Sequence, residues 1–262
     1  MLLKASCSFK FDIYEPTPFL LMLRPQSNKK QVINSQKYIT YPKVEISEFK
    51  DIYGNLYQKL IAPVGEFKIK TNSKVLIKKD SKKKIDKNFI KIEDLPHDVL
   101  VYLLPSRYCQ SDCFNQMAVE ITQNKDLGYD QVAAITNWIR DNITYESNNS
   151  DIQVSAIEVN IRKYGVCRDF AHLAIALCRS ISIPARMAVG YLYELEPMDL
   201  HAWFEVYIGS NWYRFDATQK DEKLGYVSIA YGRDAADVAI YNQYGATLFP
   251  LSQKVKVKKI KN

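Results

Sequence analysis

The hydrophobic period of this 262-residue chain changes near residue 92, and this change limits the folds that are open to it. Before that point, short runs alternate apolar with polar residues, as strands with one buried face do, and turn-forming residues separate them. The alternating runs lie at residues 3–13, 19–23, 38–46, 56–61 and 67–77. We therefore predict that residues 1–92 form a β-sandwich domain.

After residue 92 the apolar residues recur at helical spacing, and further along the chain they alternate again. The helical patterns lie at residues 96–104, 115–122, 129–142, 155–164 and 167–183. The alternating runs at 201–208 and 212–215 predict two strands joined by a turn. The predicted fold class is α+β, in which the sandwich is followed by a domain of residues 93–262 with helices packed on an antiparallel sheet.

One cysteine, Cys167, follows a glycine stop and opens a predicted helix. The partial positive charge and free N–H groups of a helix N-terminus favour a thiolate and can receive an oxyanion. His201 begins one predicted strand, and Asp216 directly follows the next. If the turn between these strands centres on Gly209 and Ser210, cross-strand partners have numbers that add up to about 419. His201 and Asp216 should therefore lie close together.

A thiol, an imidazole and a carboxylate in this order have separate tasks in acyl transfer. The thiolate attacks a carbonyl, the imidazole moves the proton, and the carboxylate orients the imidazole. The alternative is a buried structural cysteine, which Cys178 fits better because it lies inside an apolar helical run. We predict that Cys167, His201 and Asp216 form a catalytic triad that needs no cofactor and no metal ion.

Residues 164–219 resemble the bacterial transglutaminase-like superfamily of papain-like thiol enzymes. The resemblance rests on the residues at 165–172, 183–186, 190–191, 201–203 and 212–218. The family usually has Asp-Pro-Thr where this chain has Asp216-Ala217-Thr218, and the missing proline has no chemical role. The resemblance implies Cys167 as nucleophile, His201 as general acid–base and Asp216 as the orienting acid, in a domain that an N-terminal β domain often accompanies.

Six further residues are candidates for the substrate cleft: Tyr145, Arg107, Tyr108, Arg168, Arg233 and Asp234. Arg107 with Tyr108, and Arg233 with Asp234, resemble local signatures of bacterial members of the family. Asp234 could equally act as a helix cap. Tyr145 is a candidate second oxyanion donor beside the backbone N–H of Cys167.

Arg168 flanks the nucleophile and could hold a thiolate or a substrate carboxylate. We favour a structural ion pair for Arg168, and Asp169 could tie Arg186 to the helix. His172 follows Cys167 by five residues, which on a helix is about 140° round the axis, so it does not share a face with the thiol. We interpret His172 as a hydrogen-bonded structural histidine.

The formal charge of +7 is concentrated in two lysine-rich segments. Residues 68–91 hold ten lysines against two aspartates, and residues 251–262 hold five lysines and no acid. The run at 78–84 lacks interleaved aromatic residues, which favours a solvated loop over a nucleic-acid site. The alternating residues 255–258 predict an edge strand guarded by lysines that pairs with the β domain. We expect no nucleic-acid or membrane partner.

The chain has five cysteines, an odd number that excludes a complete disulfide framework. No apolar run approaches the roughly 20 residues that span a bilayer, and the first residues lack the apolar core of a signal peptide. A cytoplasmic location is therefore expected. Cys109 and Cys113 lack further ligands at zinc-site spacing.

The predicted function is thiol-dependent acyl transfer or hydrolysis on peptide or glutamine amide bonds, through an acyl-enzyme on Cys167. Hydrolysis by a cysteine protease or amidase is favoured, with a protein or peptide as substrate. An arylamine-type acetyltransferase is an alternative, although the Arg-Gly-Gly approach to the cysteine is missing. The other alternative is a non-catalytic peptide-binding or assembly module with a vestigial cleft. The sequence does not indicate an oligomeric state.

Overall fold

The α+β fold class is confirmed by a computed structural model, which describes residues 1–78, 86–146, 153–221 and 223–260. The strands are β1 Leu2–Ile13, β2 Thr17–Leu21, β3 Gln31–Tyr41, β4 Ser47–Lys50, β5 Leu56–Ala62, β6 Gly65–Ile77, β7 Thr144–Tyr145, β8 Tyr164–Gly165, β9 Ala185–Leu192, β10 Leu200–Ile208, β11 Asn211–Phe215, β12 Tyr226–Gly232, β13 Tyr241–Gln243 and β14 Ser252–Lys259. The α-helices are α1 His97–Leu100, α2 Asn115–Ile121, α3 Tyr129–Asn142, α4 Ala156–Arg162 and α5 Cys167–Ser180. No helix of the described residues is long and apolar enough to cross a membrane.

Two four-stranded antiparallel sheets form the predicted sandwich, in the orders β14-β1-β6-β3 and β13-β2-β5-β4. Their inner faces meet through aromatic side chains, with the ring of Phe11 on β1 centred 5.1 Å from that of Phe19 on β2. Tyr241 of β13 lies edge-on to Phe9 and Phe11, each at 5.6 Å. Every second residue of β1 and of most of β6 is buried, as the alternation predicted, and these buried residues are apolar except for Thr71 and Ser73.

The N-terminal strands differ from the sequence prediction in one region. The run predicted at 38–46 is instead β3, Gln31–Tyr41, and a further short strand, β4, follows it. All four residues of β4 are exposed, so the strand has no buried face to produce an alternating pattern. The loop predicted at 78–84 lies, except for Lys78, outside the described residues.

The end of the chain contributes to both sheets of the sandwich. The predicted edge strand is confirmed as β14, which pairs antiparallel with β1 from Leu3↔Lys259 to Lys10↔Ser252. Val255 and Val257 are buried, while the lysines between and beside them are exposed. β13 pairs with β2 in the other sheet. Strands from the segment 93–262 thus complete sheets that begin in residues 1–92.

The second half is built around one antiparallel sheet, in the order β11-β10-β9-β12, and one central helix, α5. Eleven of the fourteen residues of α5 are buried against β9, β10 and the helices α2, α3 and α4. The hairpin register matches the sequence prediction, because β10 pairs with β11 from Phe204↔Phe215 to Ile208↔Asn211. This register sets His201 and Asp216 at the same end of the hairpin.

The outer edge of β12 is covered by two side-chain amides from the N-terminal region. The amide of Gln31 accepts a hydrogen bond from Ser228 N (2.9 Å) and donates one to Ser228 O (2.8 Å). Asn55 does the same at Tyr231, with distances of 2.8 and 2.7 Å. Each side-chain amide therefore makes the two hydrogen bonds that one residue of a neighbouring strand would make. These bonds satisfy backbone groups at the edge of β12 that would otherwise be unpaired.

A buried ion pair also joins the two halves. Lys30 Nζ lies 2.9 Å from Glu205 Oε1 on β10, and Arg186 Nη2 lies 2.6 Å from the other oxygen of the same carboxylate. The Arg186 guanidinium is stacked between Trp212 at 4.0 Å and Tyr231 at 4.1 Å. The two cations outweigh the cost of burial and hold the pKa of the Glu205 carboxyl below its usual value.

Candidate active site

Cys167 is the first residue of α5, and the turn before it is fixed by Asp169. The Asp169 carboxylate accepts a hydrogen bond from Val166 N at 3.1 Å. A side chain in the first turn of α5 thus caps the backbone N–H of the residue before the helix. The chain must pass close to this carboxylate, because a Cβ at Gly165 would lie 2.9 Å from the Cβ of Asp169. Cys167 remains partly exposed at this position, where the first N–H groups of a helix have no intrahelical acceptor.

His201 lies near the start of β10, where its ring is buried to 3 % exposure. Its Nε2 is 2.6 Å from Asp216 Oδ2, as the hairpin register predicted. The same imidazole lies near the Cys167 side chain, which helps to raise its pKa. Because Nε2 faces Asp216, Nδ1 is the ring nitrogen that is left for the thiol. The structure thus brings the three predicted triad residues together in the order thiol, imidazole, carboxylate.

The carboxylate of Asp216 is buried and accepts four hydrogen bonds. Oδ2 accepts from His201 and from Tyr226 Oη at 2.8 Å. Oδ1 accepts from the backbone N–H of Thr218 at 3.0 Å and from its hydroxyl at 2.7 Å. Burial alone would raise the pKa of Asp216, but the charge and hydrogen bond of His201, with the two other donors, lower it below its usual value. Asp216 is therefore held as an anion.

The pKa of His201 is raised to about 10. Burial acts in the opposite direction, but it is outweighed by the charge and hydrogen bond of Asp216 and by the contact with Cys167. The imidazole therefore carries a proton near neutral pH. A positively charged imidazole therefore lies beside Cys167, at the start of α5.

Tyr226 and Thr218 are functional candidates that the sequence did not reveal. The ring of Tyr226 stands edge-on to Trp203 at 5.0 Å, and the guanidinium of Arg214 lies over it at 4.0 Å. These contacts fix the phenol whose hydroxyl reaches Asp216. No pattern in the sequence connects this tyrosine with Asp216.

Tyr145 lies beside the proposed nucleophile. Its strand, β7, pairs in parallel with β8, which leads directly into Cys167. The pKa of the Tyr145 phenol is raised to about 12, first by burial and then by the nearby Cys167, Asp199 and Asp216. Tyr145 is 46 % exposed. Its phenol therefore lies near two of the three proposed triad residues and is partly open to solvent.

Arg168 and Asp169 form the structural pair that the sequence favoured. Arg168 Nε lies 3.0 Å from Asp169 Oδ1, while Oδ2 of the same carboxylate holds Val166. Burial raises the pKa of Asp169 more than these partners lower it. Asp169 does not bind Arg186, because Arg186 is fully engaged by Glu205 on the sheet.

The remaining cleft candidates form a separate group behind α5. Asp234 is buried and accepts hydrogen bonds from Tyr108 N at 2.8 Å and Ala236 N at 2.9 Å, so its contacts are structural. Arg233 forms an ion pair with Asp237 at 2.9 Å. Arg107 is exposed and lies over the ring of Tyr108 at 5.3 Å. Among the described residues, none of these four has a hydrogen bond or ion pair with the triad.

His172 is the structural histidine that the sequence suggested. Its Nδ1 donates to Val154 O at 2.9 Å, and its Nε2 accepts from Ala235 N at 3.2 Å. Full burial lowers its pKa to about 4, so the ring is neutral. It stacks on Tyr108, with ring centres 5.1 Å apart. This histidine therefore fixes the 234–236 turn against α5 and takes no part in proton transfer.

The other cysteines have surroundings unlike that of Cys167. Cys7, Cys109 and Cys178 are buried, and burial raises the pKa of each, to about 12 for Cys7 and Cys109. Cys113 is exposed. Within the described ranges, no group of three or more His, Cys, Asp or Glu side chains could hold a metal ion.

Comparisons with known proteins point to one family. Residues 115–217, a segment that contains the whole triad, match the sequence model of the Transglutaminase-like superfamily. An uncharacterized protein of Mycobacterium leprae, ML0607, is 33 % identical over 129 residues, which are 44 % of this chain and 46 % of that protein. The uncharacterized protein YebA of Bacillus subtilis is 28 % identical over 144 residues, which are 45 % of this chain and 20 % of YebA. The chain thus matches less than half the length of these curated relatives.

A solved structure is similar over the full length. The crystal structure of a Cytophaga hutchinsonii protein, which is provisionally assigned as a cysteine protease, has a TM-score of 0.92 to this chain and 36 % sequence identity. The match covers 100 % of this chain and 91 % of that protein. The likeness therefore includes the N-terminal sandwich as well as the half that contains the triad.

Proposed function

This chain belongs to the transglutaminase-like superfamily, and from that premise we propose that it is a thiol enzyme that hydrolyses amide bonds in proteins or peptides. The observation that carries the proposal is the placement of Cys167 beside His201, whose imidazole binds the buried carboxylate of Asp216 at 2.6 Å. The provisional assignment of the Cytophaga hutchinsonii protein as a cysteine protease supports the same reaction class.

In the first step, the Cys167 thiolate attacks the carbonyl carbon of a peptide bond or of a glutamine side chain. The negative charge moves to the carbonyl oxygen, and the backbone N–H of Cys167 at the start of α5 can receive it. We assign Tyr145 as the second donor, because Cys167 is near enough to help raise the pKa of its phenol, and the raised pKa keeps that phenol protonated. Protonated His201 then gives its proton to the leaving amine, and the acyl group remains as a thioester on Cys167.

In the second step, neutral His201 takes a proton from water, and the resulting hydroxide attacks the thioester. Collapse of the intermediate releases a carboxylic acid and restores the thiolate beside the imidazolium. Asp216 keeps the imidazole oriented and stabilises its positive charge throughout. If a primary amine replaces water, the product is a new amide and the enzyme is an acyltransferase.

We also propose that the protein works in a reducing compartment such as the cytoplasm. All five cysteines are free, and Cys167 must be a free thiol to act as a nucleophile.

The proposal is tested by offering the full chain a flexible, glutamine-containing polypeptide together with a fluorescent primary amine. Mass spectrometry should show new chain ends or deamidated glutamines with the wild type and none with Cys167→Ala. Covalent attachment of the amine would identify the acyltransferase route instead. Equal products from wild type and Cys167→Ala, or binding of the polypeptide without any product, would contradict the proposal and favour the non-catalytic alternative.

A further inference from the structure

The outer face of the sheet β14-β1-β6-β3 carries a cluster of lysines that the proposed reaction does not use. Nine lysines point outward at alternating positions on its four strands: Lys4 and Lys10 on β1, Lys37 on β3, Lys68, Lys70 and Lys74 on β6, and Lys254, Lys256 and Lys258 on β14. We call this surface the lysine face. Six of the nine line a depression of about 680 Å³, together with small polar residues such as Ser6 and Ser8.

Two acidic residues, Asp12 and Glu66, share this face with the nine lysines. Glu66 lies 2.7 Å from Lys10 and 3.8 Å from Lys68. The other seven lysines have no ion pair within residues 1–78, 86–146, 153–221 and 223–260. Lys4 stands directly opposite both Lys74 and Lys258 across the strands. Like charges at such positions destabilise a sheet, so the arrangement costs stability unless an anion binds there.

Protection of a sheet edge does not explain the whole cluster. Lysines on β14 would prevent edge-to-edge association, since β14 is an edge strand of its sheet. However, β1 and β6 are interior strands, and five of the nine lysines lie on them. These interior positions favour a binding role for the face.

We propose that the lysine face binds an acidic, extended segment of the polypeptide substrate, a proposal that rests on the proposed function. Lysines at alternate positions of one strand repeat about every 6.6 Å, which is also the repeat of side chains on one side of an extended peptide. Acidic residues at alternate positions of such a peptide can therefore meet a row of lysines along the strand.

Nucleic acid fits this surface less well. The face has no arginine to bind phosphates in a bidentate manner, and its one aromatic ring, Tyr41, already lies 5.7 Å from Lys70 Nζ. A flat anionic membrane fits less well than a single chain, because six of the lysines surround a depression.

The lysine face connects to the candidate active site through its edge strand. Gln253 of β14 donates a hydrogen bond from Nε2 to Asp199 Oδ1, and Asp199 stands two residues before His201. The neighbouring Ser252 lines the depression. This end of the lysine face therefore lies near the segment that leads into His201.

The test measures binding separately from chemistry. A fluorescent peptide with glutamate at alternate positions is titrated into the full-length Cys167→Ala protein at low salt, and anisotropy gives the Kd. Lys254→Gln, Lys256→Gln and Lys258→Gln together should raise the Kd about tenfold, as expected for the loss of three exposed ion pairs. The matched control removes Lys43, Lys50 and Lys59, which lie off this face, and should leave the Kd within about twofold.

A second triple variant, with Lys4, Lys70 and Lys74 changed to Gln, tests the same face on the interior strands and does not alter the sheet edge. Equal Kd values for both face variants and the control would overturn the proposal. Tighter binding of single-stranded DNA or of phosphatidylserine vesicles than of the peptide would also overturn it. The same lysine substitutions are also made in the protein that retains Cys167. The rate at which Cys167 is alkylated in these variants should match the wild-type rate. If that thiol is inert while the peptide still binds at the face, the proposed chemistry fails and the binding surface stands.

Discussion

The hydroxyl of Tyr226 and the imidazole of His201 bind the same oxygen of Asp216, at 2.8 and 2.6 Å. Tyr226 therefore fixes the Asp216 carboxylate, which in turn orients the imidazole of His201. None of the described hydrogen bonds joins Tyr226 to the Cys167 thiol. This makes it a positioning residue for the proposed triad. Its phenol also helps to lower the pKa of Asp216.

We expect Tyr226→Phe to lower kcat/KM about tenfold, the cost of one hydrogen bond to a charged group. The pKa of Asp216 should rise, because one of its donors is lost. Asp216 then takes up a proton at a higher pH, so the acidic limb of the activity profile should move to higher pH. Tyr213→Phe, on β11 and away from Asp216, should leave both quantities unchanged. A uniform loss of activity at every pH would indicate a general structural defect instead.

The raised pKa of His201 predicts how stability depends on pH. The folded pKa of about 10 lies above the unfolded value of 6.5, so the contribution of His201 is fully present below about pH 6.5. It is lost as the pH rises towards 10. The free energy of unfolding should therefore fall between pH 6.5 and 9 in the wild type, and clearly less in His201→Gln.

Chemical denaturation at several pH values gives this difference. Above about pH 9 the buried cysteines also lower stability, because burial raises the pKa of Cys7, Cys109 and Cys178 and the unfolded chain loses its thiol protons first. The comparison between wild type and variant removes that contribution. If the free energy of unfolding depends on pH in the same way in both proteins, the contacts of His201 do not raise its pKa in the folded state.

Tyr145→Phe should lower kcat about a hundredfold while KM changes little, because an oxyanion donor acts mainly in the transition state. The alkylation rate of Cys167 should not change, since that reaction forms no oxyanion. Tyr164→Phe, on the paired strand β8, is the matched control. A change in KM with an unchanged kcat would assign Tyr145 to substrate binding.

The amide contacts at the edge of β12 predict strong coupling between the two halves of the chain. Gln31→Ala would leave the N–H and C=O of Ser228 without partners in a buried setting, which should cost about 2 kcal/mol of unfolding free energy. Gln116→Ala, an exposed amide on α2, should cost far less. Cys167 alkylation in folded Gln31→Ala should stay near the wild-type rate if the sandwich supplies no catalytic group.

The sequence was sufficient to predict that Cys167, His201 and Asp216 lie close together, because their placement is local to one hairpin and one helix start. The turn at Gly209 and Ser210 set the register, and that register set His201 beside Asp216. Ser155 caps the adjacent helix start of α4, with its hydroxyl accepting a hydrogen bond from Glu158 N. Each of these features depends on residues that are neighbours in the chain or across one turn.

Features that depend on long-range contacts were not visible. The side-chain amides of Gln31 and Asn55 bind backbone groups that are 197 and 176 positions away in the chain, and a buried amide has no periodic signature. Tyr226 reaches Asp216 only because β12 and β10 flank β9. The predicted division at residue 92 followed the change in hydrophobic period, but period carries no information about which sheet the strands β13 and β14 join.

The reactivity of Cys167 relative to the other cysteines tests the central claim most directly. The intact protein is treated briefly with a limiting amount of iodoacetamide near neutral pH, and peptide mass spectrometry locates the label. We predict that Cys167 is modified well before the buried Cys7, Cys109 and Cys178 and before the exposed Cys113, and that His201→Ala abolishes this preference. Preferential labelling of Cys113, or labelling of Cys167 that does not depend on His201, would contradict the account.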